Sequence, residues 1–226
     1  MVKRFLRPEN ASYRHFGARV QVFALALSAA LGLAAAPAEA RLLRIVALGD
    51  SLTAGYGLAP GEAFPDVLQR ALKARGWDVE VSNAGVSGET AADGLARYDW
   101  SVPDGADALI VELGANDMLR GVDPSLAEAS LAQILARARA AHIATLLTGM
   151  RAAPNYGAEY QRKFDAIYPD LAKNYGVALY PFFLDGVAGD PKVNQADGLH
   201  PTREGVERIV AAILPAVEDV LAEVKP

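Results

Sequence analysis

An α/β fold with five parallel strands between helix layers follows from three features of the sequence. From residue 42 on, short apolar runs alternate with segments of helical periodicity. The intervening helices run to ten residues or more, which is what a crossover between parallel strands requires. Polar residues able to do chemistry stand directly after the apolar runs, where an open parallel sheet binds its ligands.

Each element has its own signal. Residues 42–48 (LLRIVAL), closed by Gly49-Asp50, predict a first buried strand. Residues 63–75 place Phe64, Val67, Leu68, Ala71 and Leu72 on one helical face. Residues 79–82 predict the second strand, and residues 90–98 a helix opening near Glu89 or Thr90. Residues 108–113 (ALIVEL) predict the third strand. Residues 124–141 predict a long helix with Pro124 in its first turn and Leu131, Ile134, Leu135 and Ala138 on one face. Residues 144–148 predict the fourth strand, and residues 158–174 a helix stopped by Gly176. Residues 177–182 predict the fifth strand. Residues 202–224 predict a closing helix that Pro215 is expected to kink or split.

Composition narrows the chemistry. The chain has 226 residues, 52% hydrophobic and 22% charged, a globular balance. It has no cysteine, which excludes disulfides, thiolate nucleophiles and Cys-ligated metals. Its three histidines (His15, His142 and His200) are too few for a histidine metal cluster, so no such metal site is expected. The formal charge of −5 gives no basic surplus for nucleic acid.

Residues 1–40 read as an export signal. Lys3, Arg4, Arg7, Arg14 and Arg19 precede an apolar stretch over residues 20–36, and Pro37-Ala38-Glu39-Ala40 offers small residues before a cut after Ala40. The expected product is one domain over residues 41–226, periplasmic or secreted, with no membrane anchor. Losing five basic residues against Glu9 and Glu39 makes it more acidic still. His15 leaves with the signal, and His142 near the end of a long helix reads as a solvated dipole partner.

The strand ends carry the informative residues. Gly49-Asp50-Ser51 follows the first strand, Gly85-Val86-Ser87-Gly88 the second, and Gly114-Ala115-Asn116-Asp117 the third. Asp197-Gly198-Leu199-His200-Pro201 follows the fifth. A serine hydroxyl needs a base to become a nucleophile, and an imidazole titrates near neutrality. Asp197, three residues before His200, can fix the tautomer of that base. Ser51 N–H, Gly88 N–H and the Asn116 amide are suited to hold a developing oxyanion. Each motif alone also has a plain reading: a cap for Asp50 or Ser51, a turn for the glycines, an Asx turn for Asn116. Their joint order at successive strand ends favours the chemical one. Gly55 to Gly61 does not fit a dinucleotide loop, since its spacing is wrong and Pro60 interrupts it. There is no G-x-S-x-G elbow. Asp104 and Asp107 are expected to be solvated on the opposite edge.

These blocks resemble those of the SGNH, or GDSL, hydrolases: Ser51 in GDSLTAGYG, Gly88 in GVSGET, Asn116 in GAND, and Asp197 with His200 in DGLHP. The resemblance covers residues 41–226. It implies a three-layer α/β/α, flavodoxin-like fold with a five-stranded parallel sheet. It implies hydrolysis of small-molecule acyl esters and thioesters through an acyl-serine, without cofactor. It also implies that residues 118–123 move over the acyl chain, with Met118, Leu119, Pro154 and Tyr156 lining the groove. One departure is Gly85, where a close relative carries serine; its expected effect is on loop stiffness. A carbohydrate O-deacetylase on this fold, a periplasmic binding protein without activity and a peptidase are the alternatives.

Overall fold

The computed structural model describes residues 41–224. The expected export signal lies outside the described residues. The elements run in the order β1 (Leu43–Gly49), α1 (Ser51–Ala54), α2 (Phe64–Ala74), β2 (Val79–Gly85), α3 (Ala91–Ala96), α4 (Tyr98–Ser101), β3 (Ala108–Glu112), α5 (Ala115–Leu119), α6 (Pro124–Ala140), β4 (Ala144–Thr148), α7 (Ala158–Tyr175), β5 (Ala178–Tyr180) and α8 (Arg203–Ala222). A single 3₁₀ turn, Pro154–Tyr156, precedes α7.

The five strands are all parallel, in the order β2-β1-β3-β4-β5. Ile45 through Leu48 and the whole of β3 are buried, because central parallel strands are covered on both faces. Right-handed crossovers send α2 to one face and α3, α6 and α7 to the other. The packing agrees: α8 lies on α2, while α6 lies on both α3 and α7. Chain direction reverses between β1, which connects toward β2, and β3, which connects toward β4. That reversal opens a crevice at the carboxyl ends of β1 and β3. Ser51 and Asn116 follow those two strands, so the topology itself brings them together.

Several boundaries differ from expectation for physical reasons. β2 continues three residues beyond Ser82 to Gly85, held by pairing with β1 through Gly49↔Gly85, although Asn83, Ala84 and Gly85 carry no apolar signal. β5 has only three residues, because the chain bulges after Tyr180: Gly149 N–H donates to the Tyr180 carbonyl, but it is Phe183 rather than Phe182 that donates back to the Gly149 carbonyl. The expected helix over 90–98 is α3, opened by a capping box between Thr90 and Asp93, then a break at Arg97 before α4. α8 is not split: Pro215 and Ala211, whose carbonyl loses its helical partner, are both exposed to water. Asp107 is not solvated. Its carboxylate accepts from the Arg44 backbone N–H at 2.8 Å and pairs with Arg41 at 2.8 Å.

Candidate active site

β1 delivers the chain into a one-turn helix, α1, whose first residue is Ser51. Asp50 caps it by accepting from the Leu52 N–H at 2.9 Å. So Asp50 does have the capping role a plain reading assigns it. Capping leaves Ser51 with its N–H at a helix start, donating to no acceptor among the described residues.

The loop before α8 brings up the partners. An isolated bridge, Asn194↔Pro201, closes the segment, and Gln195 N–H donates to the His200 carbonyl at 2.8 Å. Gln195 also donates through Nε2 to the Tyr56 carbonyl at 2.7 Å, tying the loop to the α1 side. His200 Nε2 stands 2.9 Å from Ser51 Oγ. His200 Nδ1 stands 2.7 Å from Asp197 Oδ2. The other Asp197 oxygen accepts from the backbone N–H groups of Leu199, at 2.9 Å, and His200, at 3.0 Å. These two N–H groups and the imidazole hold the Asp197 carboxyl down at about 2, so it is ionised at any working pH. The Tyr56 ring lies 4.6 Å from the imidazole, centre to centre, and shields one side.

Gly88 adopts φ +89°, a conformation that favours glycine, and its N–H donates to no acceptor among the described residues. Arg120, at the end of α5, donates to the Gly88 carbonyl at 2.6 Å and so ties that loop to α5. Asn116 reaches the same place from α5. Its amide donates to Asp50 Oδ2 at 2.9 Å and to the Glu89 carbonyl at 3.0 Å. Both amide protons are therefore engaged in the free enzyme. The next residue, Asp117, is buried and accepts from the Ala91 N–H at 2.8 Å; burial raises its carboxyl.

Ser51, Gly88, Asn116 and His200 share the wall of one cleft of about 760 Å³. Away from them the wall is apolar, with Met118, Leu119, Met150, Pro154, Phe182 and Leu184. Of the expected groove residues, Met118, Leu119 and Pro154 line this cleft. Tyr156 does not. It stands behind the wall, its hydroxyl donating to the Leu119 carbonyl at 2.8 Å and its ring stacked on Tyr160. Gly85 is not a loop residue governing stiffness: it ends β2 against the backbone of α1, and a Cβ there would meet Ala54 N at 2.3 Å. His142 is exposed past the end of α6, at φ +56°.

The sequence reading missed Phe182 and Leu184, which follow β5, and Arg151, whose guanidinium sits 5.0 Å above the Phe182 ring. It also missed Glu112, which is wholly buried beneath Asp50. The signal was available, since Glu112 is the single charge in the run ALIVEL. Among the described residues no group of histidines and carboxylates is arranged to hold a metal ion.

The GDSL-like lipase/acylhydrolase family model matches residues 47–208. The esterase TesA of Pseudomonas aeruginosa is 38% identical over 199 residues, which cover 88% of this chain and 99% of the relative. Thioesterase 1/protease 1/lysophospholipase L1 of Escherichia coli K12 is 41% identical over 161 residues, covering 71% of this chain and 76% of the relative. The crystal structure of AlinE4, an SGNH-hydrolase family esterase, is 49% identical with a TM-score of 0.67, covering 80% of this chain and 97% of that one. The crystal structure of the esterase EstA from a Pseudoalteromonas species, inhibited by monoethylphosphonate, is 30% identical with a TM-score of 0.75, covering 80% and 99%. The chain belongs to the GDSL-like lipase/acylhydrolase family.

Proposed function

We propose that this protein hydrolyses carboxylic esters and thioesters through an acyl intermediate on Ser51. The observation that carries this reading is the continuous array from Asp197 through His200 to Ser51, with bonds of 2.7 and 2.9 Å, opening on an apolar cleft. Asp197, ionised and held by two backbone donors, keeps the proton on His200 Nδ1. Nε2 is then free to take the Ser51 proton as Oγ attacks the acyl carbonyl. The unengaged N–H groups of Ser51 and Gly88 receive the oxyanion. The Asn116 amide joins them by exchanging its bond to the Glu89 carbonyl for one to the oxyanion, while its bond to Asp50 holds it in place. The imidazolium returns its proton to the leaving alcohol or thiol. A water molecule repeats the sequence on the acyl-enzyme.

The apolar wall suits an acyl chain better than an acetyl group or a sugar, which favours an acyl esterase over a polysaccharide deacetylase. With residues 1–40 read as an export signal, the working enzyme is periplasmic or secreted. The decisive test is Ser51→Ala, which is expected to keep the circular dichroism of the parent and lose hydrolysis of p-nitrophenyl esters and labelling by a fluorophosphonate. Full activity in that variant would overturn the assignment. A chain-length series of p-nitrophenyl esters separates the deacetylase reading: activity confined to acetate favours it.

A further inference from the structure

Glu112 ends β3 in register with Gly49 and has no exposed surface. Its Oε2 accepts from the Thr53 hydroxyl at 2.8 Å and, at 3.4 Å, from the Asp50 N–H. Its Oε1 is buried without a partner. The pocket is made for this side chain: a Cβ on Gly49 would lie 2.7 Å from Glu112 Oε2 and 2.1 Å from Thr53 Oγ1. Two carboxyl groups, Glu112 and Asp50, are thus sealed together, and among the described residues no lysine or arginine pairs with either. Groups facing them are few. Arg97 donates to the Gly49 carbonyl but is paired with Glu89, and the Tyr168 hydroxyl is committed to the Leu113 carbonyl. Asp117, whose carboxyl burial raises, follows Asn116 on α5, while His200 faces Asp50 across Ser51.

Two unneutralised carboxylates in one dry pocket cannot both ionise. The hydrogen bonds decide which keeps the charge. Asp50 receives the Leu52 N–H and the Asn116 amide, which favour its ionised form. Glu112 receives one hydroxyl and one long N–H contact, and leaves an oxygen with no donor. We propose that Glu112 is a neutral, proton-bearing carboxylic acid and a positioning residue, which pins α1 through Thr53 and, through Asp50, holds Ser51 and Asn116 in place for the reaction. Burial raises both carboxyls in accord with this, Glu112 the more strongly and Asp50 to about 6. Glu112 touches neither substrate nor the reacting atoms. Its effect is transmitted by Thr53 and Asp50, and for its catalytic part the proposal rests on the serine-hydrolase reading.

The test compares the full-length protein with Glu112→Gln, an uncharged isostere, and Glu112→Ala. Glu112→Gln is expected to keep kcat/KM within about threefold of the parent, since an amide replaces a neutral acid at little cost. Glu112→Ala is expected to lower kcat about tenfold or more with little change in KM. Urea unfolding of the parent and Glu112→Gln supplies a readout independent of hydrolysis. An acid that stays neutral when folded but ionises when unfolded makes the parent lose stability as pH rises. The ratio of the two unfolding constants should therefore change as pH rises above about 4.5, the ordinary value of the carboxyl, by up to about tenfold per pH unit for as long as the folded acid stays neutral. A ratio that does not move with pH overturns the proposal, because Glu112 would then be ionised in the fold. Glu112→Gln as slow as Glu112→Ala also overturns it. A parent that neither hydrolyses p-nitrophenyl esters nor takes a fluorophosphonate label refutes the hydrolase reading instead, and leaves the unfolding comparison standing as the test of the neutral acid.

Discussion

Replacing Asp197 by asparagine changes one oxygen to an NH₂ group, and the surrounding hydrogen bonds dictate which one. Oδ1 accepts from two backbone donors, the N–H groups of Leu199 and His200. Turning an NH₂ group toward them would forfeit two hydrogen bonds, each worth about 1 kcal/mol. The amide oxygen therefore stays there, and the NH₂ group takes the place of Oδ2, 2.7 Å from His200 Nδ1. Nδ1 must then accept, so its proton moves to Nε2, the atom facing Ser51 Oγ at 2.9 Å. The base arrives already protonated on its working nitrogen, and no carboxylate supports the imidazolium. A reversed tautomer of this kind lowers kcat by about 10⁴, or about 5.5 kcal/mol of transition-state stabilisation. The assay is steady-state hydrolysis of a p-nitrophenyl ester, with circular dichroism as the check on folding. A folded Asp197→Asn enzyme within about tenfold of the parent would refute this account, since a loss that small leaves no room for the tautomer switch.

The same residue carries a pH signature. Its folded carboxyl lies near 2 against an ordinary 3.8, so it adds stability above that ordinary value and loses it as pH falls toward 2. Asp197→Asn should therefore lose less stability than the parent between about pH 4 and about pH 2 in urea titrations. Asn116→Ala removes a potential oxyanion donor and also releases Asp50, so kcat should fall by about 10² or more while KM changes little; an effect on KM alone would assign it to substrate binding. Tyr156→Phe cuts the bond from the tyrosine hydroxyl to the Leu119 carbonyl and should weaken use of long acyl esters more than short ones, by up to about tenfold; equal effects across a chain-length series would show that the bond does not shape the groove. Phe183→Ala, where Phe183 packs edge-on to Phe64 at 5.0 Å between centres, should lower unfolding free energy by about 3–5 kcal/mol in urea titrations.

What the sequence revealed and what it concealed separate along physical lines. β1, β3 and α6 were legible because burial imposes a continuous apolar run on a central strand and a 3.6-residue period on a packed helix. α1 and α5 were not, since four or five residues are too few to show a period, yet they carry Ser51 and Asn116. The last residues of β2, Asn83, Ala84 and Gly85, show no apolar run because that strand lies at the edge, and only pairing with β1 reveals them as strand. Ser51, Asp197 and His200 could be found because acyl transfer demands particular residue types. Which side of the cleft wall Tyr156 occupies could not, because a tyrosine in a loop serves equally as lining or as brace. Glu112 shows the converse: its charge in an apolar strand was visible, but its partner Asp50 lies 62 residues earlier and only the β1–β3 register joins them.

The base and the nucleophile are separated by 149 residues, and they meet only when the last loop docks beside α1. Until then the serine is an ordinary alcohol. Closing so long a stretch of chain costs conformational entropy, so this contact is expected to form late in folding. Reactivity toward a fluorophosphonate is therefore a clock for the final step of assembly: in refolding, labelling should lag behind the return of helical signal. An incompletely folded chain would be chemically silent toward the esters around it.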